Sequence, residues 1–320
     1  MKLFRLKKII QGGIILLFFV MPFIAQAIEI QNYDNMPVEG DFVLGPGKIE
    51  LFLDPGESIT RDLKITNRTG RMLTINIDIE DFTGDPNYST QLLGDEQGPY
   101  SLRDYIKPEI SEFNLSHGER ASLPVTISIP EDASPGGLYG ATIARVSPAS
   151  EQEEKIADGA TGNVGIVSRL ATLFFVRVKG DINESGYLKS FTTDKKFYKQ
   201  GPVNFSIVYE NTGSVHLNPY ATIEIKNITG KKIDTVDVAP YFVMPGFIRN
   251  RSVDWHKKLA FGRYTAIASV NRGYNNLVDE AKITFWIIPL KVIIISLSVI
   301  LLLAVLIWWF SSKFEVKRKQ

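Results

Sequence analysis

A catalytic or metal-binding centre needs side chains that titrate, attack or ligate, and this chain of 320 residues has few of them. It contains three histidines, His117, His216 and His256, and no cysteine. Each imidazole borders a turn or an exposed strand, and none has a second one at metal-ligand spacing. No thiol nucleophile exists, and neither a G-x-S-x-G elbow, a glycine-rich phosphate loop nor an H-E-x-x-H motif occurs. The densest group of oxygen donors is Asp78, Glu80, Asp81, Asp85 and Asn87. Calcium takes about six to eight oxygens from a flexible loop, so the composition suits it, but the spacing misses the D-x-[DN]-x-[DN]-G pattern. Asp78 and Glu80 also alternate with Ile77 and Ile79, as the wet face of a strand requires, and that is the preferred explanation. A carboxylate pair such as Asp81 and Asp85 could serve a wall hydrolase, yet scattered acids without a recognisable cleft are ordinary surface residues. The chain reads as non-catalytic and without a cofactor.

Composition narrows the remaining classes. With 36 basic and 35 acidic residues there is no field to gather nucleic acid. The triplets beginning at Asn67, Asn87, Asn114, Asn183, Asn204 and Asn227 are N-x-[ST], glycosylation acceptors in a eukaryote and turn residues elsewhere.

Stepping outward from these residues, both ends of the chain carry long apolar segments. Residues 292–310, from Val292 to Phe310, hold no charge and two hydroxyls, Ser296 and Ser298. As a helix they reach about 29 Å, close to the thickness of a bilayer's hydrocarbon core. Lys291 lies before them, and Lys313, Lys317, Arg318 and Lys319 follow. The heavier basic cluster belongs in the cytoplasm, so the expectation is a single-pass protein of the cell membrane with its bulk outside and residues 311–320 inside. At the other end, Lys2, Arg5, Lys7 and Lys8 precede an apolar run and Ala25-Gln26-Ala27, a signal-peptide pattern that places the mature start at Ile28. No LPxTG precedes the C-terminal span, so anchorage is by the helix.

Between these segments lie about 260 residues, enough for two domains. Residues 28–46 read as an irregular leader. Period-two alternation then marks strands, as in Leu63 and Ile65, and in Leu73, Ile75, Ile77 and Ile79, the pattern of an antiparallel sheet solvated on one face. Residues 47–180 read as a first immunoglobulin-like β-sandwich, interrupted by a long insertion at about 81–118 without strands of its own. Residues 164–178 form a long strand, much of it apolar on both faces. Residues 181–288 hold around seven short strands at regular spacing, a second immunoglobulin-like sandwich. The fold class is all-β, with one C-terminal transmembrane helix. A faint internal echo supports related modules: a strand, then Asn67 with Thr69-Gly70, against a strand, then Asn211 with Thr212-Gly213.

The order of parts carries a family likeness. A signal peptide is followed by a sandwich with Asp54-Pro55-Gly56 and Ile65-Thr66-Asn67-Arg68-Thr69, then by Ser134-Pro135-Gly136-Gly137-Leu138-Tyr139-Gly140. A second sandwich with Phe261-Gly262-Arg263-Tyr264, one span and a basic tail complete it. This arrangement resembles the WxL-interacting protein family of bacterial cell surfaces. The resemblance implies a first domain associated with peptidoglycan and a second with partner proteins.

The leading expectation is therefore a non-catalytic, membrane-anchored surface scaffold that contacts cell-wall glycan, surface proteins or both. Loops at sandwich ends are the usual contact points. The candidates are Tyr88, Tyr100 and Tyr105 in the insertion, Gly136, Gly137 and Tyr139 in the next loop, and Tyr241 and Phe247 in the second domain. The alternative is an assembly or secretion factor that receives a partner's strand along an exposed sheet edge, as pilus chaperones do.

Overall fold

The structure, a computed structural model, describes residues 28–85, 90–148, 168–257 and 261–313. The signal-peptide pattern, Asn87, Tyr88 and the tail residues Lys317, Arg318 and Lys319 lie outside these.

The described residues of the first domain form eleven strands: β1 (Glu29–Asn32), β2 (Phe42–Gly45), β3 (Lys48–Leu53), β4 (Ser58–Asn67), β5 (Leu73–Gly84), β6 (Thr90–Leu92), β7 (Ile106–Pro108), β8 (Glu112–Leu115), β9 (Glu119–Ser128), β10 (Gly136–Pro148) and β11 (Ser168–Val178). One sheet has the order β1-β9-β4-β2, with β7 also on β9. The other has the order β3-β11-β10-β5-β6, with β8 also on β5. Leu63, Ile65, Leu123, Val125 and Ile127 from the first sheet meet Ile75, Ala144, Phe174 and Val176 from the second in one core.

The second domain contains β12 (Gly186–Thr193), β13 (Phe197–Tyr198), β14 (Val203–Asn211), β15 (Tyr220–Lys226), β16 (Lys232–Val238), β17 (Ile248–Trp255), β18 (Gly262–Asn271) and β19 (Val278–Ile287). Its sheets run β12-β14-β17 and β13-β19-β18-β15-β16. Strict alternation sets the core: Val203, Phe205, Ile207, Tyr209 and Asn211 of β14 all turn inward, opposite Tyr264, Ala266, Ala268 and Val270 of β18. Trp255, Tyr264 and Phe285 pack edge-on and stacked at its centre.

Two sequence expectations need correction. The leader at 28–46 contains β1 and β2, which close one flank each of the first sheet. The insertion at 81–118 carries β6, β7 and β8 and a 3-10 turn at Arg103–Tyr105. All are three or four residues long, too short for period-two alternation to show. In the second domain β13, two residues long, escaped for the same reason.

Helix α1 (Leu290–Lys313) follows β19 after two residues, Ile288 and Pro289. Among the described residues it is the one helix long and apolar enough to cross a membrane.

Candidate interaction site

Two features of the first domain offer contact to something else, and both depend on β11. The first is an incompletely paired edge. The chain leaves β2 on one sheet, passes Pro46 and continues as β3 on the other, so a single stretch flanks each sheet over half its length. β3 pairs in parallel with β11 only from Leu173 to Val178. The Leu173 amide donates to the Gly47 carbonyl at 3.0 Å, and the Thr172 hydroxyl donates to the Pro46 carbonyl at 2.7 Å. Backbone direction alternates along a strand, so Arg169 and Ala171 present their N–H and C=O groups to the same side as Leu173. Among the described residues no strand pairs with them there.

Side chains reinforce this. Phe174, Val176 and Val178 face the core, which puts Leu170 and Thr172 on the inner face as well. Leu170 nevertheless remains 39% exposed, at the seam where β2 and β11 edge the two sheets. Several other free edges carry charge, which discourages strand pairing, while β2, β6 and β13 carry none but are only two to four residues long. The first half of β4 carries Arg61 and Asp62, β16 carries Asp234 and Asp237, and β17 carries Arg249, Arg251 and Asp254. β12 is broken by an irregularity between Leu188 and Ser190. The open half of β11 has one charge, Arg169, and it is turned across the sheet onto Glu80.

The second feature is the outer face of the same sheet. Phe82, Tyr139, Ala141, Ile143 and Phe175 point away from the first core, yet they are buried beneath Met244 and, around it, Phe242 and Phe247 of the second domain. Phe175 and Phe242 meet at 4.7 Å between ring centroids. The Arg249 guanidinium lies 4.0 Å over the Phe242 ring, and the Lys48 ammonium 5.3 Å from it. Hydrogen bonds cross the boundary too. The His216 amide donates to the Tyr139 hydroxyl at 2.7 Å, the Gly137 amide donates to the Ser214 carbonyl at 3.1 Å, and Arg177 donates to the His216 carbonyl at 2.6 Å.

The His216 ring sits at the centre of this contact, 1% exposed, between Tyr139 and Phe175. Neither ring nitrogen has a hydrogen-bond partner, although Nε2 lies 3.9 Å from a Glu50 carboxylate oxygen. Burial, helped by the Arg177 charge, pushes its pKa down to about 3, so the imidazole is neutral at physiological pH. Burial alone would raise the Glu50 pKa. Lys48 outweighs it, and the carboxyl stays below the usual range.

No protein-family model matches the sequence, and no curated protein matches it. Solved structures with a similar arrangement include the class 5 fimbriae chaperone CfaA, at 13% identity and a TM-score of 0.37, covering 78% of this chain and all of that one. The E. coli chaperone DraB follows at 13% and 0.35, covering 75% and 95%, and the Pseudomonas aeruginosa CupB2 chaperone at 12% and 0.32, covering 74% and 97%.

The candidate contact residues end up elsewhere than at a free surface. Tyr100, Gly136, Gly137, Tyr139 and Phe247 converge on the domain boundary, where the Tyr100 and Tyr139 rings meet edge to face at 6.0 Å. Tyr241 is buried in the second core, and Tyr105 packs against the first. These aromatics are spent on packing because β5, β10 and β11 need cover on both faces. The pointer lay in β11 itself, whose apolar residues on both faces signal burial on both sides.

Among the described residues the candidate calcium ligands do not converge either. Asp81 accepts the amides of Gly98, Leu102 and Arg103 at 3.0–3.1 Å and so pins the insertion to the sheet. Glu80 is engaged by Arg169 and by the Gly94 amide, and Asp78 by Arg145 at 3.2 Å. Asp85 stands at the end of β5 with a partner of its own. Sequence reasoning missed His216, Glu50 and the β11 edge, since each gains its meaning from a neighbour far along the chain.

Proposed function

We propose that this chain is a non-catalytic, membrane-anchored binding protein that captures an extended segment of a protein partner by adding it as a strand to β11. The carrying observation is the half-paired β11 edge, with Leu170 exposed on its inner face beside β2. A partner strand laid against Arg169 and Ala171 would gain main-chain hydrogen bonds and set alternate side chains into the seam, the usual currency of β-augmentation. Partners are then surface or secreted polypeptides. Tyr100, Tyr105, Tyr139, Tyr241 and Phe247, considered for glycan contact, are occupied in packing, which favours this reading over a wall-binding scaffold. Helix α1 anchors the chain, with the strands outside the membrane and Lys313 and the basic tail inside, in keeping with the likeness to WxL-interacting surface proteins.

The test is a photoreactive amino acid at Leu170 in intact cells. Adducts with other exported polypeptides are expected, and their yield should collapse in Ala171→Pro, which removes an outward N–H while leaving the β10 ladder intact. Adducts to wall glycan alone, or a yield indifferent to the proline, would refute it.

A further inference from the structure

One end of the second domain is built unlike the other. Arg263 pairs with Trp286 and Gly262 with Ile287, Lys226 with Lys232, and Phe197 with Trp286. The β15–β16 turn, the start of β18 and the end of β19 therefore share one end, the end from which the chain enters α1. Ile288 and Pro289 are the only residues between β19 and that helix. Two residues reach about 7 Å at most. Three helical residues, 290–292, rising about 4.5 Å, then precede Ile293, where the membrane-length apolar stretch begins. The headgroup layer on each side of a bilayer is about 5–8 Å deep. A tether this short holds the domain's end against that layer.

The residues there suit it. An open cleft of about 770 Å³ is lined by Lys231, Lys257, Arg263, Phe261, Tyr264 and Trp286. Ile228 is 72% and Phe261 70% exposed at its rim. Among the described residues, Lys231 and Arg263 have no carboxylate at ion-pair distance, while Lys257 and Lys232 are held by Asp234 and Glu224. Nearby, Lys196 and Lys199 flank β13 and its exposed Phe197. At the far end of the domain the cations Lys189 and Arg272 are instead held by Glu210 and Asp279. Apolar tips among unpaired cations are the chemistry of the boundary between anionic headgroups and acyl chains.

We propose that this end of the second domain docks on the anionic lipid surface from which α1 emerges, with Lys231 and Arg263 on phosphates and Ile228 and Phe261 dipping below them. Docking fixes the domains' orientation to the bilayer instead of leaving them to swing on the helix. The inference rests on α1 being the anchor, and the test separates the two ideas.

Because the chain has no cysteine, Ile228→Cys is a unique labelling site. The full chain carrying a polarity-sensitive dye there is placed in nanodiscs of phosphatidylcholine, with or without phosphatidylglycerol. Blue-shifted emission and about threefold stronger quenching by lipid-borne quenchers are expected in the anionic discs, and loss of both in K231E/R263E. Equal access of aqueous iodide to the dye in both discs, with the chain still bound to them, overturns the docking alone. Shielding by a soluble polyanion but not by anionic discs overturns it in favour of a wall polymer. A chain that fails to stay with any disc overturns the anchor and the docking together.

Discussion

At the scale of single residues, two buried asparagines do equivalent work. Asn67 donates its amide to the carbonyls of Arg71 and Leu115, both at 2.8 Å, and its oxygen accepts the Thr69 amide. Asn211 donates to Val215 and Val243, again at 2.8 Å, and accepts from Gly213. Each closes the turn after its own strand and ties it to a distant segment of its own domain. The short Asn-centred echo in the sequence thus corresponds to a shared bonding pattern, one that also takes Asn67 out of consideration as a glycan acceptor. Alanine strands the buried carbonyls of Val215 and Val243 at position 211 and that of Leu115 at position 67, and should cost about 1–3 kcal/mol. Amide hydrogen exchange should show N67A loosening the first domain and N211A the second, and a loss spread evenly over both would contradict the assignment. Gly137 is a further fixed point, since a Cβ there would lie 1.9 Å from the Tyr139 hydroxyl oxygen that accepts the His216 amide.

At the scale of elements, the long strands were legible because alternation runs through them: β4, β5, β9, β14, β15 and β18 can be traced from their apolar residues. The short ones were not. β1, β7 and β8 owe their existence to β9 and β5 alongside them, a context absent from three or four residues of sequence. The insertion is a case in point. It holds its shape through Asp81, whose carboxylate collects three amides from residues 98–103. Asp81→Ala should therefore raise hydrogen exchange and protease cleavage across residues 94–103 by about tenfold or more, with β5 and β10 little changed. Unchanged protection there would show that the neighbouring packing, not the carboxylate, holds the segment. The half-open edge of β11 was equally invisible, since openness depends on where a different strand, β3, happens to begin.

At the scale of the whole molecule, the domain contact should respond to acid. His216 is neutral in the contact down to about pH 3, while a solvated imidazole binds a proton near its ordinary 6.5. Only the opened form gains that proton, so the contact keeps full strength above pH 6.5 and weakens as pH falls from there toward about 3. The loss is at most about 1.4 kcal/mol per pH unit across that window. Small-angle scattering between pH 7 and 4 should show the domains separating, and His216→Phe should flatten the response. A profile identical in the variant would assign the effect to Glu50 and its neighbours.

The same boundary bears on how such a chain can be inherited. The sheet of β5, β10 and β11 greases both its sides, and one of those sides belongs to the other module. Residues 28–180 produced alone would display Phe82, Ile143 and Phe175 to water and should aggregate where the intact pair stays soluble. Recombination that exchanged one module for an unrelated one would leave the same apolar face bare, so such an exchange is expected to need a compensating change on that face.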